Sequence, residues 1–115
     1  MSANYYYAKD KTADYKFATI SGATATATVW TPVSGKSIVI TGFIVSSTLG
    51  DLVTFKKGTT NGAPDTLFAF NVSASSYISP DIGPIELKDV DNILYVNASN
   101  PGTNGVRVLV TGFET

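Results

Sequence analysis

Four acidic side chains gather toward the C-terminal half of the chain: Asp81, Glu86, Asp89 and Asp91. Two carboxylates at a set separation can hydrolyse a glycoside, one donating a proton while the other acts as base or nucleophile. That chemistry requires two of the four to converge in a cleft. The run Asp89-Val90-Asp91-Asn92 also places oxygen ligands at a spacing that calcium loops use. It lacks the further ligands and the closing glutamate of such a loop. The plainer reading is a turn in which the Asp side chains accept hydrogen bonds from nearby backbone N–H groups. With no Cys and no His, thiolate zinc sites, haem ligation by histidine, Ser-His-Asp triads and Cys-His dyads are excluded. No cofactor or metal is expected, and the chain is not expected to be an enzyme.

Other residue groupings point toward binding. Tyr5, Tyr6, Tyr7 and Tyr15 are interleaved with Lys9, Lys11 and Lys16, a pattern able to stack bases and neutralise phosphates. Asp10 and Asp14 cancel much of that charge, and the whole chain carries 8 basic against 9 acidic side chains. Neither nucleic acid nor an anionic membrane is therefore an expected partner. Trp30, Tyr77 and Tyr95 offer flat apolar faces of the kind that bind carbohydrate, although a Trp at a strand end more simply fills the core. Arg107 falls in the last strand, on the face of Leu109 and Thr111, where it either meets a carboxylate, including one from another subunit, or snorkels at an edge. Asn71-Val72-Ser73 and Asn97-Ala98-Ser99 match the glycosylation acceptor pattern. The polar, aromatic N-terminus is not expected to be a signal peptide, so both read as plain strand residues.

These side chains must be positioned by strands. Of the 115 residues, 43% are hydrophobic and only 15% charged, and Thr, Val, Ile, Tyr and Phe occur in short runs broken by Gly, Pro, Asn and Asp. No helix is expected. Residues 23–30 alternate strictly between Ala or Val and Thr or Trp. Residues 36–47 form a long strand that is apolar on both faces, with Ile38, Ile40 and Ile44 against Val39, Phe43 and Val45. A strand of that kind is covered on both sides. Further strands are expected at 52–57, 66–72, 85–88, 93–98 and 106–113, with 66–72 central in its sheet and 100–105 forming a turn. Residues 73–84 are the least regular, since Pro80 and Pro84 exclude a central strand there. Seven to eight short strands without crossover helices describe an antiparallel β-sandwich of jelly-roll type.

Two details stand apart. Thr-Gly-Phe occurs at 41–43 and again at 111–113, and a glycine inside an apolar strand marks a bulge or a close backbone approach. Residues 1–16 differ from the domain at 17–115 and show no alternation. They read as an extended arm whose Tyr5, Tyr6, Tyr7 and Tyr15 contact a partner, or as a frayed or added strand.

The run Trp30-Thr31-Pro32-Val33-Ser34-Gly35-Lys36-Ser37-Ile38-Val39-Ile40-Thr41-Gly42-Phe43-Ile44-Val45-Ser46-Ser47 has a familiar strand-and-turn pattern. Gly83-Pro84-Ile85-Glu86-Leu87, Asn92-Ile93-Leu94-Tyr95-Val96 and the closing Val106-Arg107-Val108-Leu109-Val110-Thr111-Gly112-Phe113-Glu114 continue it. Over residues 25–114 the chain resembles small jelly-roll virion proteins of tailed bacteriophages, including head decoration (cement) proteins. The resemblance implies a β-sandwich, frequently a homotrimer, seated on the outer surface of the capsid and bound to the major capsid protein, with no catalytic residues. On that expectation Ile38, Val39, Phe43 and Val45 supply a core or a subunit interface. The alternative is a carbohydrate- or receptor-binding module of a phage tail or head fibre, with Trp30 and Tyr77 as contacts.

Overall fold

The computed structural model describes residues 14–22, 26–60, 62, 64–81 and 83–115. Among the described residues there are nine strands: β1 (Asp14–Gly22), β2 (Thr26–Trp30), β3 (Ile38–Ser47), β4 (Asp51–Gly58), β5 (Asp65–Val72), β6 (Ser76–Ile78), β7 (Ile85–Glu86), β8 (Ile93–Ala98) and β9 (Gly102–Glu114). No helix among them is long and apolar enough to cross a membrane. The strands make two antiparallel sheets packed face to face as a β-sandwich. The first has the order β1-β9-β3-β6, with β7 also on β3, and the second the order β2-β8-β4-β5. The chain changes sheet at most connections, so the two sheets are interleaved along the sequence.

Alternation places the core. Ala18 and Ile20 of β1, Val106, Val108 and Val110 of β9, and Val45 of β3 all point inward. Val53 and Phe55 of β4 and Leu94 and Val96 of β8 meet them from the second sheet. Phe43, Phe55, Phe68 and Phe70 stack at one end, ring centroids 4.9 to 6.1 Å apart. Such offset packing adds to the burial of the rings themselves.

Bulges decide which residues join this core. In β3, Ile40 pairs with Gly112 and Gly42 with Thr111, so Thr41 is an extra residue. Ile38 and Ile40 face inward before it, and Phe43 and Val45 after it. An unbroken alternation would have sent Gly42 and Ile44 inward instead. The expected double covering therefore holds only at the start of the strand, where Val39 is buried on the outer face, and past the bulge Ile44 is 44% exposed. Ile38, Phe43 and Val45 are core residues. The repeated Thr-Gly pair makes this geometry. The Thr41 and Thr111 hydroxyls lie 3.3 Å apart, and a Cβ on Gly112 would collide with the Val39 carbonyl oxygen.

Three further expectations are corrected. The strand at 66–72 is not central: β5 is an edge of the second sheet, with Leu67, Phe68, Phe70 and Val72 packed on the core and Ala69 and Asn71 exposed. The turn expected at 100–105 is shorter, since β9 already begins at Gly102, paired to Gly22 of β1. The boundary at residue 16 moves, because Asp14, Tyr15 and Lys16 pair with Gly112, Thr111 and Val110. Charged neighbours disguised that strand. Lys16 lies on its inner side only by placing its ammonium 5.5 Å from the Trp30 ring centroid, a cation–π contact at the sheet edge. Residues 1–13, with Tyr5, Tyr6 and Tyr7, lie outside the described residues.

Candidate functional site

The register of the first sheet aligns its outward residues into rows. Tyr15 of β1 lies beside Thr111 of β9 and Gly42 of β3. In the next row Phe17 lies beside Leu109 and Ile44. The third row runs Thr19, Arg107, Ser46, Tyr77, crossing from β1 to β6. Tyr15 is 71% exposed, Phe17 63%, Ile44 44% and Tyr77 69%. Leu109, between Phe17 and Ile44, is half-buried. One row beyond Tyr15, on the same face, Val39 pairs with Phe113, and both are buried.

This arrangement is not what folding requires. The inward residues of the same strands, Ala18, Val108 and Val45, already fill the core. Strands with a solvated outer face ordinarily alternate apolar and polar residues. Here aromatic and branched aliphatic side chains stand in water on three adjacent strands, and Arg107 is the one charged side chain in the three rows. At about 4.8 Å between strands and about 6.8 Å between same-face residues, the patch spans roughly 10 to 14 Å on a side. An exposed apolar cluster rimmed by polar residues makes this face the candidate interaction surface of the fold.

The expected contact residues fall into separate places. Tyr15 lies on this face, in a strand instead of an arm. Tyr77 lies at its polar end. Trp30 is 1% exposed, and its Nε1–H donates to Glu114 Oε2 at 2.9 Å, while Glu114 Oε1 accepts from the Val33 N–H at 2.9 Å. A bulge between Thr28 and Trp30 turns both Val29 and Trp30 inward. Trp30 therefore cannot stack on a carbohydrate, and Tyr95, 3% exposed, cannot either. Phe17, Ile44 and Leu109 were not singled out from the sequence as residues of this outer face. Phe17 fell just past the expected arm boundary, and Ile44 was legible as outward only once the bulge was known.

The acidic residues do not assemble. Asp81 sits in the segment before β7, Glu86 on β7, and Asp89 and Asp91 in the turn before β8, all exposed. Asp91 Oδ1 accepts from the Gly35 N–H at 2.7 Å, and the Asp91 N–H donates to the Lys36 carbonyl at 2.9 Å. It fastens two turns together, in the left-handed conformation at φ 65°. Among the described residues no three Asp or Glu side chains cluster as metal ligands.

Among the described residues, two depressions bear on the candidate site. One, of about 390 Å³, is ringed by Ser46, Ser75, Ser76, Tyr77 and Arg107 at the polar end of the patch. The other, of about 410 Å³, is lined by Phe43, Phe68, Phe70, Ile78 and Ile85 between the β5 edge and β6–β7. Neither includes any of the four acidic residues. No protein-family profile matches the chain, and no curated protein matches it. Fold and site define a β-sandwich with one apolar outer face.

Proposed function

We propose that this chain is a non-enzymatic structural protein of a tailed-phage virion, a decoration protein that binds the outer surface of the assembled head as a homotrimer and ties neighbouring capsomers together. The observation that carries the reading is the exposed row Phe17–Leu109–Ile44 with Tyr15 beside it. Charged residues are depleted at the centre of protein interfaces and aromatic residues enriched, and this patch has that composition. Thr19, Ser46 and Arg107 form its polar rim. The order β1-β9-β3-β6 facing β2-β8-β4-β5 supports a jelly-roll topology, the fold to which the strand-and-turn pattern of residues 25–114 is similar.

The physics of the role is mass action. A protein that binds the assembled lattice and not separate capsid subunits shifts the equilibrium toward the lattice. Threefold repetition makes attachment multivalent, so no single contact need be tight. A cyclic trimer built on the β1–β9–β3 face also covers a surface that would otherwise associate without limit. The alternative, a carbohydrate- or receptor-binding module of a tail or head fibre, loses Trp30 to the core and keeps only Tyr77 of its two contacts.

The test is co-sedimentation with phage heads assembled without this protein. Saturable pelleting that is lost in Phe17→Ser/Ile44→Ser supports the role. A chain that stays in the supernatant at every concentration contradicts it.

A further inference from the structure

We propose that the depression at the polar end of the patch binds an acidic saccharide, a sugar residue carrying a carboxylate. The site goes beyond the association reading: it shares Ser46 and Arg107 with the rim of that patch but uses none of its apolar centre, Tyr15, Phe17, Leu109 and Ile44. Its frame is one cross-strand row. Ser46 of β3 is paired to Arg107 of β9 on one side and to Tyr77 of β6 on the other. The guanidinium and the phenol ring thus rise from strands roughly 10 Å apart, two strand spacings, with a hydroxyl between them.

Each group has capacity to spare. Arg107 is exposed, and among the described residues no carboxylate pairs with it. Tyr77 is 69% exposed, showing a flat ring to solvent. Ser75 and Ser76 complete the rim from the loop and strand beside it. Ser47 is different. Its hydroxyl donates to Asp51 Oδ2 at 2.7 Å and accepts from the Gly50 N–H at 2.9 Å, so it serves the floor and not a ligand.

The rim is held in place before any ligand arrives. The Ser75 N–H donates to the Thr48 carbonyl at 3.1 Å, and the Thr48 N–H to the Gly105 carbonyl at 2.8 Å. This chain of bonds fastens the loop before β6 to the turn after β3 and to β9. Ser75 itself is kept at φ 54°, a left-handed conformation that persists in a non-glycine residue only where its surroundings enforce it.

The ligand class follows from the mixture of groups. One cation stands among neutral hydroxyls, beside an aromatic face. A guanidinium forks onto a carboxylate through two parallel N–H bonds. Serine hydroxyls both donate and accept, matching sugar hydroxyls. The Tyr77 ring covers the apolar C–H face of a pyranose. A bare inorganic anion would leave the ring and most of the hydroxyls unused. The volume of about 390 Å³ falls in the range of small-molecule sites.

Calorimetric titration with a tetrasaccharide of alternating glucuronic acid and N-acetylglucosamine tests this, with a neutral glucose tetrasaccharide and sodium sulfate as comparisons. Saturable binding is expected, with the neutral sugar and Arg107→Ala each weaker by about tenfold or more, the loss of a charge-assisted hydrogen-bonded pair. Tyr77→Ala weakens binding several-fold. Both residues are exposed, and unchanged thermal melting shows that the variants remain folded. Equal affinity for the neutral sugar, unchanged affinity in Arg107→Ala, or no heat up to about 10 mM overturns the proposal. Sulfate binding as tight as the saccharide also overturns it, reducing the site to an anion site only. Phe17→Ser/Ile44→Ser, which breaks association, leaves the saccharide affinity unchanged.

Discussion

The two outer faces of this sandwich are built by the same rule and carry opposite chemistry. On the second sheet two of the outward rows read Thr26, Asn97, Thr54, Ala69 and then Thr28, Tyr95, Lys56, Thr66, and a third pairs Leu52, 45% exposed, with Asn71. The Asn97 side chain donates to the Thr26 hydroxyl at 2.8 Å, so polar groups there satisfy one another, and Tyr95 is tucked in and buried. On the first sheet the corresponding rows are Tyr15, Thr111, Gly42 and Phe17, Leu109, Ile44. Both inner faces are equally apolar, so stability demands nothing of either outer face. The polar one is the ordinary solution for a sheet that meets water. The apolar one is what the proposed interface would use.

Adjacent residues of β3 give the sharpest test of that division. Phe43 is 4% exposed within the ring cluster and Ile44 is 44% exposed. Phe43→Ala is expected to cost about 4 kcal/mol of folding stability, the usual range for a buried Phe, measured by urea denaturation. Gly112→Ala comes next, at about 3 kcal/mol, because the added Cβ meets the Val39 carbonyl and forces β9 from β3. It also disturbs the rows, so association falls with stability. Phe17→Ser/Ile44→Ser is expected to change stability by only about 0.5 kcal/mol per site while abolishing self-association. Smallest is Thr54→Ala on the polar face, with stability within about 0.5 kcal/mol and association unchanged. If the polar-face change weakened association as much as the apolar one, the distinction between the faces would be lost.

Much of the fold was legible because alternation and turn residues agree. The strand at 93–98 was found with its observed limits, Ile93–Ala98, since Asp89 to Asn92 stops the chain before it. The Thr-Gly pairs were legible as a bulge and a close approach, because only a glycine tolerates the backbone of β3 against Gly112. The face on which each residue lands was not legible. One extra residue at Thr41 reverses every side chain after it, and the Thr-Gly pairs alone do not tell which of them is the bulge and which the close approach. β1 was not among the expected strands, because Asp14 and Lys16 interrupt the hydrophobic signal at its start, although Lys16 is held at the edge by Trp30. The polar depression was the least legible feature. Arg107, Ser46 and Tyr77 are far apart in sequence and meet only through the pairing of β3 with both β9 and β6.

The central claim is that the Tyr15, Phe17, Ile44 and Leu109 face is a subunit interface. Size-exclusion chromatography with light scattering at tens of micromolar tests it most directly. The account predicts a trimer mass for the native chain and a monomer mass for Phe17→Ser/Ile44→Ser, with the two proteins melting alike. A native chain that is strictly monomeric, or a double variant that keeps the trimer mass, would contradict it.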